Sequence, residues 1–483
     1  MDRYKVSERI YEYDLNHIDN SGYIALYHSL SIDVIFIKRI VYDALKSAVK
    51  HNNFTGYDRK IVDELISKKV FVPIDFDDKN ILNEIVKSLT VIRPTTLRLQ
   101  LTEMCNLNCT YCQIERNYKN NTGLHMSKET AIRSLKLFNR FAPANIPKTI
   151  ILTGGEPTLN FEIIKELFVY VKENFDSYRF ILFSNGISIT DEMAATFKAN
   201  NVFVLISLDG NEVQHNIFRK DHSGKGSFNA AIKGFNICKD QGCSVGISGV
   251  IGTHNINSLE KEVLDFFLDI RPNSLGLNFP HYLLNADNSK VLPMEDYADA
   301  IIAAYKKLRS YGIYLENINR LIEPFVKQKV NAKECAALGR GITVLPDGTV
   351  GPCKTLLVAG KMGRHLNELE KIERLDDDAE FAKWCNRSTY TLDCCKGCSK
   401  VSLCGTGCTY DSFVINGNID GVDKRTCIFM EKVFGFLIED LYGIIKNDNE
   451  SDVYIPTPQD RQRIYSSIEL KDTDLKRSAG HEI

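Results

Sequence analysis

The 483-residue chain lacks net charge: 60 basic side chains stand against 62 acidic ones, leaving −2. That balance gives no global electrostatic reason to expect a nucleic-acid or anionic-membrane partner. Nowhere do about 18 apolar residues run together, so no membrane-spanning helix is expected. The first fifteen residues are dense in charge and lack the apolar centre of a secretory signal, which makes a cytoplasmic location the expectation. No internal repeat is evident, and no cysteine precedes Cys105.

Cysteine is abundant after that point, and its distribution matters more than its number. Of 14 cysteines, three fall at Cys105-x3-Cys109-x2-Cys112 and eight lie between Cys335 and Cys427, leaving Cys238, Cys243 and Cys385 scattered. A cytoplasmic thiol pool disfavours structural disulfides, and clustering at short intervals is what ligation requires. The scattered three read as buried small hydrophobes.

The length implies two to four units. Residues 1–92 read as a small module: a hairpin over 23–37, helical patterns over 40–49 and 57–68, and a short closing strand at 70–72. That order suits a winged-helix-like domain whose free sheet edge accepts an extended peptide, or equally a plain structural cap. Residues 93–315 alternate strand and helix, with strands expected at 97–102, 149–153, 180–184, 202–207, 244–250 and 274–279. Six parallel strands in a βα series predict a partial (β/α)6 TIM-like barrel, with chemistry at the strands' C-terminal ends. Cys105, Gly154-Gly155-Glu156, Asn185-Gly186 and Asp209-Gly210 fall at four such ends. Residues 316–446 are Cys-rich and Gly-rich, as suits a domain with an inorganic core, and 447–483 read as a polar tail.

Three cysteines on one loop leave one iron of a four-iron cluster without a protein ligand, a vacancy that a small molecule can fill. Zinc competes for the same residues, but it needs a fourth ligand nearby, and the nearest histidine is His125. Taken with Gly154-Gly155-Glu156-Pro157, the triad resembles the radical S-adenosylmethionine (SAM) superfamily. The resemblance implies that the open iron binds SAM and that reductive cleavage yields a 5'-deoxyadenosyl radical. It carries Gly154, Gly155 and Glu156 to the methionine amino group, Tyr111 to the adenine, and Ser207 with Asp209 to the ribose. Ser184-Asn185-Gly186 matches a second cofactor contact or a turn, and Arg219 a carboxylate partner or a solvated charge.

The second field, Cys335-x12-Gly348-x4-Cys353, Cys395-x2-Cys398-x5-Cys404-x3-Cys408 and Cys427, resembles the SPASM extension of peptide-modifying radical SAM enzymes. By that match Cys395, Cys398, Cys404 and Cys427 hold one auxiliary four-iron cluster, and Cys335, Cys353 and Cys408 the nearer one. Three [4Fe-4S] clusters and SAM are therefore the expected cofactors. Some relatives carry an eighth cysteine where this chain has Gly341, so an iron of the nearer cluster is open to a substrate thiolate, to Cys394 or to water. Lys354 stands where sulfatase-maturing relatives have an acid-base aspartate.

The first module resembles leader-recognition domains of ribosomal-peptide maturases. The expected activity is oxidative cross-linking of a precursor peptide, by a thioether first, with carbon–carbon or carbon–oxygen linkage, epimerisation or sulfatase-type maturation as alternatives. The expected partners are a leader-bearing precursor and a flavodoxin- or ferredoxin-type reductant. An iron–sulfur electron carrier is the non-enzymatic alternative. A zinc-bound DNA-binding module would need a dense Lys/Arg patch that the first 92 residues lack.

Overall fold

The computed structural model describes residues 3–114, 122–284, 288, 291–446 and 451–465. Its centre is a parallel sheet built from β6 (Thr96–Gln100), β7 (Lys148–Thr153), β8 (Tyr178–Ser184), β9 (Phe203–Ile206), β10 (Ser244–Val250) and β11 (Ser274–Asn278), preceded in the chain by five N-terminal strands. Each of the six lies within two residues of its expected position. Period-2 alternation explains the fold of this layer. Leu97, Leu99, Ile150, Leu152, Phe180, Leu182, Val204, Ile206, Val245, Ile247, Leu275 and Leu277 all point into the large core beneath the flanking helices. The alternate positions form the other face: Ile151, Ile181, Phe203 and Leu205 make a small apolar cluster there. Arg98, Arg179, Ser248 and Asn278 occupy further positions of that same alternation.

The sheet is longer than expected. β12 (Tyr314–Leu315) pairs in parallel with β11, and β13 (Gly341–Val344) pairs in parallel with β6; β14 (Thr349–Gly351) and β15 (Arg364–His365) then add antiparallel. These strands are two to four residues long, too short for periodicity to register. Through β13 the cysteine-rich segment becomes a continuation of the sheet, placing Cys335 and Cys353 near its edge.

The N-terminal residues form β1 (Tyr4–Val6), β2 (Ile10–Asp14), β3 (Tyr23–His28), β4 (Val34–Lys38), helices Arg39–His51 and Arg59–Ser67, and β5 (Phe71–Pro73). The hairpin is β3 with β4, as expected, whereas β5 pairs with β1 instead of closing on the hairpin. One hairpin face, Ile24, Leu26, Ile35 and Ile37, packs with Leu45, Leu65 and Phe71. The other faces the long helix Lys424–Lys446, with the Tyr27 ring 4.8 Å from Phe434 and Phe36 5.4 Å from Tyr442.

The expected free edge of the hairpin is covered. β16 (Val453–Tyr454), from the segment read as a polar tail, pairs antiparallel with β4. The sheet order is β16-β4-β3-β2. Residues 447–450 and 466–483 of that segment lie outside the described residues; 451–465 fold back because they carry anchors that composition hid. Tyr454 stacks 5.6 Å from Tyr23, and Ile464 is fully buried. Arg461, itself buried, donates to the carbonyls of Phe325 (2.9 Å) and Ile32 (3.1 Å). Arg461→Leu removes the partner of two buried carbonyls and is expected to cost about 3 kcal/mol, read as a lower midpoint of urea unfolding with unchanged slope.

Candidate active site

The triad loop leaves the C-terminal end of β6 and is held from three sides. The Glu103 carboxylate accepts from Thr122 N (2.9 Å), Thr122 Oγ1 (2.8 Å) and Leu124 N (3.2 Å). Asn108 N donates to Lys220 O (2.8 Å) and Thr110 N to Phe218 O (3.2 Å). From the β7 side, Gly155 N donates to Thr102 O (2.9 Å) and Glu156 N to Met104 O (2.8 Å). This approach is why the loop needs glycines: a Cβ on Gly154 would stand 2.7 Å from Thr102 O, and one on Gly155 2.3 Å from Met104 O.

Glu156 is buried and ties β7 to β8. Its Oε1 accepts from Thr158 N (3.2 Å), Thr158 Oγ1 (2.6 Å) and Ser184 Oγ (2.8 Å), and its Oε2 from Asn185 N (2.7 Å). Burial pushes its pKa up, and these hydrogen bonds work against that rise. Asn185 then reaches the triad loop, donating to Asn106 Oδ1 at 2.6 Å, with Cys105 Sγ 3.9 Å from the same nitrogen. Gly186, at φ 82°, supplies the left-handed turn after β8.

Tyr111, Asp209 and Arg219 form one buried constellation. The Tyr111 hydroxyl donates to Asp209 Oδ2, Arg219 Nε stands 3.0 Å from the same oxygen, and its guanidinium lies 5.3 Å from the Tyr111 ring centre. Oδ1 accepts from Val250 N at 2.9 Å, so the Asp209 carboxylate is engaged by protein groups on both oxygens. Arg219 is 8% exposed, unlike a solvated charge. Ser207 sits at the end of β9, its amide on Ser184 O (2.9 Å). His125 pairs through its backbone with Thr102 and is exposed.

The donor sets suit thiophilic metal. Burial pushes the Cys105 and Cys109 thiols up, to about 12 and about 11, and neighbouring triad sulfurs add to the rise. Buried thiols so placed become thiolates only against a metal's charge. Cys335, Cys353 and Cys408 lie within one another's electrostatic reach, as do Cys395, Cys398 and Cys427, with Cys404 near Cys395 and Cys427. Cys238, Cys243 and Cys385 are buried at 0%, 8% and 1% exposure, outside all three groups.

Several residues carried no sequence signal. Lys354 lies within electrostatic reach of Arg98, Cys112 and Cys353; burial first, then Arg98, lowers its pKa to about 8. The His254 ring is 4.4 Å from Phe218 and 6.5 Å from Tyr111, with both nitrogens buried and unpartnered. Glu316 lies against the inner face of β11, where a Cβ on Gly276 would be 3.1 Å from its Oε2. His254 and Glu316 take their places only through tertiary packing, so no local motif marks them, whereas Lys354 directly follows Cys353 and only its surroundings went unseen.

A triad of thiols and a glycine–glutamate loop thus lie together at one end of the parallel strands. Residues 99–267, which contain them, match the Radical SAM superfamily. The radical SAM cyclopropyl synthase TigE of Paramaledivibacter caminithermalis is 24% identical over 369 residues, 73% of this chain and 75% of that protein. The cysteine-type anaerobic sulfatase-maturating enzyme of Clostridium novyi is 25% identical over 63% of this chain and 84% of its own length. Among solved structures, anSMEcpe with bound AdoMet covers 74% of this chain and 96% of its own at TM-score 0.62 and 20% identity. Streptococcus suis SuiB bound to precursor peptide SuiA covers 88% and 99% at TM-score 0.53 and 14% identity, a likeness of fold. Radical SAM domains bind SAM and a [4Fe-4S] cluster.

Two outcomes follow. Gly155→Ala displaces the triad loop from its support, and dithionite-driven 5'-deoxyadenosine formation is expected to fall roughly a hundredfold. Burial raises the Glu316 pKa from 4.5 to about 7. Its neutral form therefore favours the fold below the ordinary value, and that contribution is lost as pH rises through the folded value. Glu316→Gln is expected to match wild type in thermal midpoint near pH 4.5, to exceed it progressively as pH rises toward 7, and to keep a constant margin above that.

Proposed function

We propose that this protein is a radical SAM maturase that oxidatively cross-links a ribosomally made precursor peptide. One observation carries the reading: the triad segment packs directly on the segment after Cys353, with Cys112 against Leu357 and Val358 and Thr355 Oγ1 3.3 Å from Gln113 Oε1. Four-iron clusters at Cys335, Cys353 and Cys408 and at Cys395, Cys398, Cys404 and Cys427 would be a route out for a second electron. That is the requirement of a reaction that forms a bond by removing two hydrogens.

Bound at Cys105, Cys109 and Cys112, a cluster with SAM would supply the 5'-deoxyadenosyl radical that abstracts hydrogen from an unactivated carbon. The protein's part is orientation. Gly154 to Glu156 and Ser184 would hold the methionine end, Tyr111 and Ser207 the nucleoside, with Asp209 fixing Tyr111 and Arg219. One electron from a flavodoxin or ferredoxin would let SAM yield methionine and, after hydrogen abstraction, 5'-deoxyadenosine. The peptide would lose a hydrogen atom from carbon, a proton from sulfur and one electron to an auxiliary cluster as the thioether forms.

A peptide substrate is supported by the structural neighbours, SuiB bound to its precursor peptide SuiA and anSMEcpe bound to the Cp18Cys peptide. The N-terminal sheet would take the leader by strand addition, either at β2, where the sheet ends, or by displacing β16 from β4. A second reading, carbon–carbon bond formation, is favoured by the likeness to a cyclopropyl synthase.

Anaerobic turnover with the precursor encoded beside this protein is expected to lower the peptide's mass by two hydrogens. Subsequent alkylation distinguishes the bond, since a thioether consumes the cysteine thiol and a carbon–carbon bond leaves it reactive. Turnover that cleaves SAM but leaves the peptide mass unchanged would count against oxidative cross-linking. Absence of SAM cleavage would leave an electron carrier as the better account.

A further inference from the structure

The set Cys335, Cys353 and Cys408 is one thiolate short of a full four-iron complement. Gly341 offers no ligand, and a Cβ there would fit tightly, 3.2 Å from the Ala336 backbone and 3.3 Å from its Cβ. Cys394 is exposed and lies with Cys395 and Cys427 of the other set.

A third group stands beside Cys408. His281 follows the C-terminal end of β11, and the ligand atoms of His281, Cys408 and Asp411 all lie within 4.8 Å of one another. Cys408 caps the helix Thr409–Asn416, and Asp411 lies one turn on, which brings both onto the same face. His281 Nδ1 is 2.8 Å from Asp411 Oδ2, so Nε2 is the ring atom left to bind metal. A histidine whose second nitrogen is held by a carboxylate is the usual outer-shell arrangement of a metal ligand.

Asp411 is itself fixed. Its Oδ1 accepts from Tyr282 N (3.0 Å), and Arg425 stands 3.3 Å from Oδ2 while covering the Tyr282 ring at 3.5 Å. Tyr410 Oη donates to Tyr282 O at 2.8 Å. The histidine is thus pinned to the helix that carries Cys408, a rigidity that an ordinary surface imidazole does not need.

We propose that His281, through Nε2, is the fourth protein ligand of the cluster held by Cys335, Cys353 and Cys408. The inference rests on the auxiliary-cluster reading above. It closes the site that the glycine at 341 leaves, so a substrate sulfur is not bound to that iron and the cluster serves as an electron acceptor. Replacing a thiolate by imidazole raises a cluster's potential, which suits that task.

The test uses full-length protein with Cys105, Cys109 and Cys112 changed to alanine, so that only the auxiliary clusters remain, reconstituted anaerobically. About eight irons per chain are expected, with matching sulfide. Protein grown on 15N-histidine is compared with unlabelled protein by pulsed electron paramagnetic resonance of the reduced clusters. A nitrogen coupling that changes with the isotope and disappears in His281→Cys, with iron content retained, is the expected result. About eight irons without any histidine coupling overturns the ligand assignment while leaving the auxiliary clusters in place. About four irons or fewer, or zinc without sulfide, overturns the reading beneath it.

Discussion

The backbone of Gly155 passes so close to the Met104 carbonyl that a Cβ would lie 2.3 Å from the oxygen. That approach locks the triad loop onto the end of the parallel sheet, and the remaining site geometry depends on it. Glu156 can tie β7 to β8 only from this position, and Asn185 meets Asn106 only because both loops are so held. Thiols buried to this degree tolerate little displacement, since their ionised form is stable only beside a metal.

The same end of the sheet gathers the second thiol set, for a simple topological reason. β13 extends the parallel order beyond β6, so the segment after Cys335 emerges beside the triad loop instead of forming a detached appendage. Lys354 then comes within electrostatic reach of both Cys112 and Cys353, and Thr355 Oγ1 is 3.3 Å from Gln113 Oε1. Electron exchange between separate cysteine fields needs such proximity.

Much of this was legible in the residues. The six strands announced themselves by alternation, and the cysteine spacings suggested the groupings on which the proposed clusters rest. Less legible were pieces below the length at which periodicity speaks: β1, β12 and β13 are three, two and four residues long. The segment from Ser451 to Tyr465 read as a polar tail because its anchors are isolated. Arg461 looks like any surface arginine until Phe325 and Ile32 offer it carbonyls. Asp209 matched a ribose contact by position, yet its two oxygens are taken up by Val250, Tyr111 and Arg219.

By itself the sequence determined the chemistry available: clustered cysteine thiols, a glycine–glutamate loop, and a βα series that brings the first cluster and that loop to one edge. Ligand type and spacing are local properties, so they survive without a fold. Tertiary structure decided which distant groups complete those sites. His281 and Asp411 are 130 positions apart and meet at 2.8 Å. Only the packing of the segment after β11 on the helix Thr409–Asn416 brings an imidazole beside Cys408, and no spacing rule encodes a contact of that range.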